Sequence, residues 1–156
     1  MAFRAWVAAQ RHMGFEMDPR ELTDAEAAVL ARVAAWWKAR RALRAGAGVQ
    51  RLDADDPSVV AEIQIAPDGG RFVVFAGQAG APAQIVPRPL RLAGLDPAAR
   101  YRLHLVNPED APPQSRGPVA LRDGPLVVSG RHLMAHGIVL LLGWPATMWV
   151  IEGARA

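Results

Sequence analysis

Apolar side chains in the first third of the chain recur every three or four positions, whereas beyond residue 48 they fall in short alternating or β-branched runs cut by glycine and proline. The first texture predicts helices and the second predicts strands. Phe3, Trp6, Val7, Gln10 and Met13 share one helical face, which predicts a helix over 2–13 ended by Gly14. Asp18-Pro19-Arg20-Glu21 places a carboxylate at an N-cap and proline at the first helical position, nucleating a turn. Thr23-Asp24-Ala25-Glu26 then spells a capping box, in which threonine accepts from the N3 amide and glutamate reaches back to the N-cap amide. The helix it opens is predicted to run to about Ala45, with Val29, Val33, Trp36, Trp37 and Leu43 roughly on one side, before Gly46 and Gly48 stop it.

In the remainder, the runs at 59–65 and 71–77 flank Pro67-Asp68-Gly69-Gly70, a hairpin signal because Asp-Gly supplies the positive φ angles of a tight turn. Further strands are predicted near 85–92, 100–106, 118–121, 125–129, 138–142 and 147–151. About eight short strands in roughly 100 residues suit an antiparallel β-sandwich. The chain thus reads as mainly β with N-terminal helices: a helical segment over 1–46 and the sandwich over 47–156. Tyr101, following Asp96-Pro97-Ala98-Ala99-Arg100 at the start of a strand, is placed to fold back onto the backbone as a corner clamp. Residues 111–117 read as an exposed loop.

Between 133 and 151 the only ionisable side chain is His136, and such a stretch is long enough to span a bilayer. Gly143-Trp144-Pro145 interrupts it, and no basic cluster anchors its ends, so two core strands joined by a turn are expected and no membrane partner. A length of 156 residues allows one domain with an appendage. Cysteine is absent, which excludes disulfides and a thiolate nucleophile and permits a reducing cytoplasm, the expected location. Residues 1–13 hold no export-type apolar block, since Arg4 and Arg11 interrupt it.

The sequence pI near 10.5 contrasts with a net charge of only +3. Lys38 is the only lysine and Tyr101 the only tyrosine, so little titrates between neutral pH and arginine's own range. Lys38, Arg40, Arg41 and Arg44 crowd the end of the long helix, where they suit its negative pole; without aromatic platforms or a nucleic-acid motif, no nucleic-acid partner is expected.

Four constellations merit weighing for chemistry. His132 and His136 have metal-binding helical spacing but lack a neighbouring base and a third ligand, and their flanks favour turn and strand; they read as structural. Asp53, Asp55 and Asp56 are the sole carboxylate cluster; they precede Pro57 and lack the glycine and distal glutamate of a calcium loop, so they read as a solvated turn. Ser58, Ser115 and Ser129 sit in no nucleophile elbow. Trp6, Trp36, Trp37, Trp144 and Trp149 could stack on sugars, but three of the five fall on helical faces and read as packing. No catalytic, cofactor-binding or metal residue is assigned, and no cofactor is expected.

Several blocks nevertheless resemble glycoside hydrolase family 36, the bacterial α-galactosidases. They are Phe3-Arg4-Ala5, Met13-Gly14-Phe15-Glu16-Met17-Asp18, Trp36-Trp37-Lys38, Pro89-Leu90-Arg91-Leu92-Ala93-Gly94-Leu95-Asp96-Pro97 with Tyr101-Arg102-Leu103, and Ser129-Gly130-Arg131-His132-Leu133-Met134 with Gly137. The resemblance implies a retaining glycosidase whose (β/α)8 barrel is followed by a C-terminal antiparallel sandwich. Retention uses two carboxylates about 5 Å apart, one nucleophile and one acid/base. In that family both lie upstream of the segment matching residue 1, so no catalytic residue carries over. Residues 2–13 would correspond to the last barrel helix and 24–45 to a connector.

The implied function is a non-catalytic structural domain packing on a barrel absent from this chain, with a carbohydrate-binding sandwich as the alternative. Phe3, Trp6, Val7 and Met13 would then form a bared apolar face, covered by self-association or by the chain's own sandwich.

Overall fold

The computed structural model describes residues 1–112, 119–141 and 143–156, which form two units, Met1–Ala45 and Gly46–Ala156. In the first, helix α1 spans Ala2–Ala9 and ends at Gln10, short of the predicted 2–13. Just past its end, the indole Nε1 of Trp37 donates to the Arg11 carbonyl at 2.9 Å and holds the chain there.

A 3-10 turn at Pro19–Glu21 follows, capped by the Asp18 carboxylate. Helix α2, Asp24–Ala39, carries the full capping box: Glu26 N donates to Thr23 Oγ1 at 3.3 Å and Thr23 N to Glu26 Oε2 at 3.1 Å. The bond from the Thr23 amide, then that from its hydroxyl, holds the Glu26 carboxyl below its usual range. The single helix expected to Ala45 breaks at Arg40 into α2 and a short α3, Arg41–Ala45.

Trp6 is covered within this helical unit: it is 1% exposed and meets the Trp36 ring edge-on at 5.2 Å. Val7, Phe15 and Met17 remain exposed.

The second unit is built on one six-stranded antiparallel sheet in the order β1-β2-β3-β6-β4-β5. The strands are β1 (Gly48–Leu52), β2 (Val59–Ile65), β3 (Arg71–Gln78), β4 (Arg100–Leu105), β5 (Leu126–Ser129) and β6 (Thr147–Arg155). The predicted hairpin is β2–β3, in register from Val59–Gln78 to Ile65–Phe72, with Gly69 at φ 64°. Alternation sorts the side chains by face: Ile63, Val74, Ile151 and Leu105 stand in one row across four strands and enter the main core.

The mainly β, antiparallel reading with helices before it stands, with six strands among the described residues where about eight were expected. Strand β1 escaped the sequence reading because its burial pattern is exposed until Leu52, as befits a sheet edge. The segments at 85–92 and 138–142 form no strand; within their described residues only Leu90 and Ile138 bridge, by bonds of 2.8 and 2.9 Å. Pro87 and Pro89 remove ladder donors from the first of them.

The predicted strand at 118–121 coincides with a helical turn, α4 (Ala120–Asp123), and residue 118 lies outside the described residues, as does most of the expected 111–117 loop. The histidine pair sits on a short helix, α5 (Gly130–Ala135), with strand β5 before it and a turn at His136 after it; Ser129 Oγ accepts from His132 N at 3.2 Å and caps it. Two glycines make this layer possible. A Cβ on Gly130 would lie 2.0 Å from the Asp96 carbonyl oxygen, and one on Gly137, at φ 78°, would lie 2.4 Å from the Leu90 carbonyl oxygen.

Two polar side chains fasten the sheet. Tyr101, fully buried, accepts from Asp96 N at 3.2 Å and donates to Gly69 O at 3.3 Å, as the corner reading anticipated. Asn107, also fully buried, donates through Nδ2 to Met148 O and accepts at Oδ1 from Val150 N, both at 2.9 Å. It thereby extends the β4–β6 pairing past Leu105 with a side-chain amide in place of backbone.

Candidate functional site

The loops at the β2-start, β3-end and β6-start edge of the sheet enclose a small cleft. Its floor is Leu140, Leu141 and Trp149, and its mouth carries Asp55, Asp56, Gln84 and Arg88. Two of the three clustered aspartates are brought here, each with structural work. Asp56 Oδ1 accepts from Ser58 N at 2.9 Å and from Ser58 Oγ at 2.6 Å, while Oδ2 accepts from the Ala83 amide at 2.9 Å across the cleft. Partial burial pushes the Asp56 carboxyl up, but the bonds from Ser58 and Ala83 together outweigh it and leave it below its usual range. Asp55 stands 4.0 Å from Arg88 and 3.9 Å from Arg91, loose surface pairs. Asp53 is exposed. An acid occupied in this way is a strut, poorly suited to donate or remove a proton in a reaction.

The cleft volume, about 30 Å³, is water-sized and far below the roughly 300–1,000 Å³ of small-molecule pockets. Trp149 Nε1, buried at its floor, has no hydrogen-bond partner. A larger groove of about 360 Å³ runs past Val119, Leu121, Leu126, Val128, Ile138 and Val139, with His132 as the one titratable side chain on its described wall. Its lining offers sugar hydroxyls few partners.

The other candidates disperse. His132 and His136 lie with ring centroids 5.0 Å apart, both exposed, and no group of three or more His, Cys, Asp or Glu suited to a metal occurs among the described residues. Ser58 and Ser129 are a strut partner and a helix cap; Ser115 lies outside the described residues. Of the basic run at the helix end, Arg40 lies over Trp36 at 5.3 Å and Arg41 over Trp37 at 4.9 Å, while Arg44 donates to the Arg11 carbonyl at 3.4 Å. The strand aromatics Phe72, Phe75, Tyr101 and Trp149 are all buried, which leaves no sugar-stacking row among the described strands. No described helix is long and apolar enough to cross a membrane. Asn107 and Gln78 are the polar anchors that sequence reading missed; an Asn-Pro pair after a strand, as at 107–108, looks like an ordinary turn.

Comparison with known proteins explains this architecture. The family model described as the glycosyl hydrolase family 36 C-terminal domain matches residues 59–149. An α-galactosidase from Escherichia coli is 29% identical over 162 residues, which cover 100% of this chain and 23% of that protein. Among solved structures, the GH36 α-galactosidase AgaA from Geobacillus stearothermophilus superposes with a TM-score of 0.75 at 22% identity, over 98% of this chain and 19% of its own. The galactosidase domain of the α-galactosidase-sucrose kinase AgaSK gives 0.77 at 20% identity, over 98% and 19%. An α-galactosidase from Lactobacillus brevis gives 0.75 at 18%, over 98% and 20%. The chain thus spans about a fifth of the length of the proteins it matches, and its helices are included in the likeness. It belongs to glycosyl hydrolase family 36, through that family's C-terminal domain.

Proposed function

We propose that this chain serves as the C-terminal structural domain of an α-galactosidase-like retaining glycosidase, packing against a catalytic (β/α)8 barrel and contributing no catalytic group. The observation that carries the reading is the pattern of coverage: nearly all of this chain corresponds to about a fifth of each relative. Retention would demand two carboxylates about 5 Å apart on either side of a sugar. The one acidic cluster here is instead committed to a turn and its struts. The helical unit supports a packing role, because its exposed large hydrophobics, Val7, Phe15 and Met17, all lie in its first 17 residues. In this reading α1 is the last barrel helix and α2 with α3 the connector. A cysteine-free chain suits the reducing cytoplasm proposed for it.

The test is a chimera of the Escherichia coli α-galactosidase in which the matched 162 residues are exchanged for this chain. Hydrolysis of a chromogenic α-galactoside is expected from the chimera and none from this chain alone. Turnover by the chain alone would overturn the reading, as would an inactive chimera beside an active parent enzyme.

A further inference from the structure

Strand β3 ends at Gln78 beside Thr147, where β6 begins. The loop that leaves β3 and the turn that enters β6 therefore emerge from the same end of adjacent strands, and the bond from Ala146 N to Gln78 O at 2.8 Å ties them together. At this end stand the unit's most exposed large hydrophobics: Ile85 at 89%, Val86 at 76% and Trp144 at 57%.

The base of the loop, by contrast, is pinned. Asp56 accepts from the Ala83 amide, and Gln78, 2% exposed, donates to the Gly80 carbonyl at 2.9 Å and to the Ser58 hydroxyl. A loop fastened at its root while its apolar tip stands in water presents a surface, since isoleucine and valine gain nothing from solvent.

We propose that Ile85, Val86 and Trp144 form a second docking surface, whose occupant is an apolar face of the polypeptide that the relatives carry outside the matched region. This rests on the packing reading above and adds the β unit to it. Two features favour that occupant over a second copy of the chain. The relatives hold about four fifths of their length outside the matched region, so in them a large partner is covalently attached to the matched part. Three side chains also offer far less than the roughly 800 Å² per partner of a stable free interface. A tethered partner, at an effective concentration in the millimolar range, needs far less area.

The test compares the Ile85→Asp/Val86→Asp double variant, and separately Trp144→Ala, in two settings: the active chimera and the isolated chain. In the chimera, the half-life of heat inactivation is expected to fall about tenfold, as the loss of one well-buried apolar contact would give. In the isolated chain, the unfolding midpoint is expected to stay within about 1 °C, because exposed positions carry little stability. An unchanged half-life in both chimera variants would overturn the proposal while leaving the packing reading intact. A wild-type chimera without activity would remove both. An isolated chain that sediments as a dimer, and becomes a monomer in the double variant, would assign the surface to a second copy and overturn the proposal.

Discussion

Asn107 offers the sharpest test of what holds the sheet together. Its amide faces two backbone groups of β6 in opposite senses, donating to Met148 O and accepting from Val150 N at 2.9 Å each, with no exposure to solvent. Asn107→Asp keeps the shape and changes only one donor. As a carboxylate, its second oxygen would confront the Met148 carbonyl, acceptor against acceptor, in a site closed to solvent. The folded variant therefore holds a proton and donates it to Met148 O, whereas in the unfolded chain an aspartate ionises near pH 3.9.

The folded pKa is thus raised, so the folded state binds more protons than the unfolded state above pH 3.9, and stability falls as pH rises. The slope is about 1.36 kcal/mol per pH unit, which accumulates to about 4 kcal/mol at pH 7 and nearly vanishes at pH 4. Should the folded pKa lie below 7, the loss levels off there, so about 4 kcal/mol is the ceiling. Urea unfolding of wild type and variant at pH 4, 5, 6 and 7, followed by tryptophan fluorescence, measures the difference directly. A variant equally stable at pH 7 and pH 4 relative to wild type would refute the assignment of the Nδ2 donor to Met148.

Tyr101→Phe removes the two hydroxyl bonds but leaves the ring edge-on to Phe72 at 5.4 Å, so it is expected to cost about 1–1.5 kcal/mol and to lower the thermal midpoint by roughly 3–5 °C. Asp56→Asn leaves a single acceptor for bonds that now go to both oxygens, and either the Ser58 groups or the Ala83 amide must lose theirs. The expected result is about 1 kcal/mol of destabilisation at neutral pH and faster hydrogen exchange at Ala83. Because the wild-type carboxyl sits below its usual range, its contribution is complete above the unfolded pKa and fades as pH falls through the lower folded value. The variant lacks that acid-dependent part.

Local signals made the start of α2, the β2–β3 hairpin and the Tyr101 corner legible. A capping box, an Asp-Gly turn and a tyrosine ahead of a strand each act within a few residues, so the chain writes them down where they occur. The absence of an assigned reaction in the sequence reading had the same origin: the carboxylates cluster only in one turn.

Tertiary structure decided the rest. Helix α1 stops at Ala9, and the chain just beyond it is held through the Arg11 carbonyl by an indole 26 residues away. Edge strand β1 exists through its partner β2, without an apolar pattern of its own. The runs at 85–92 and 138–142 have strand composition, yet prolines and Gly137 limit them to the Leu90–Ile138 bridge. Asn107, unremarkable as a letter, becomes a clamp only when Met148 and Val150 arrive some forty residues later. Short-range chemistry is encoded beside the residues it acts on. Long-range pairing depends on which donor and acceptor the folded chain leaves facing each other, and no window of sequence contains both.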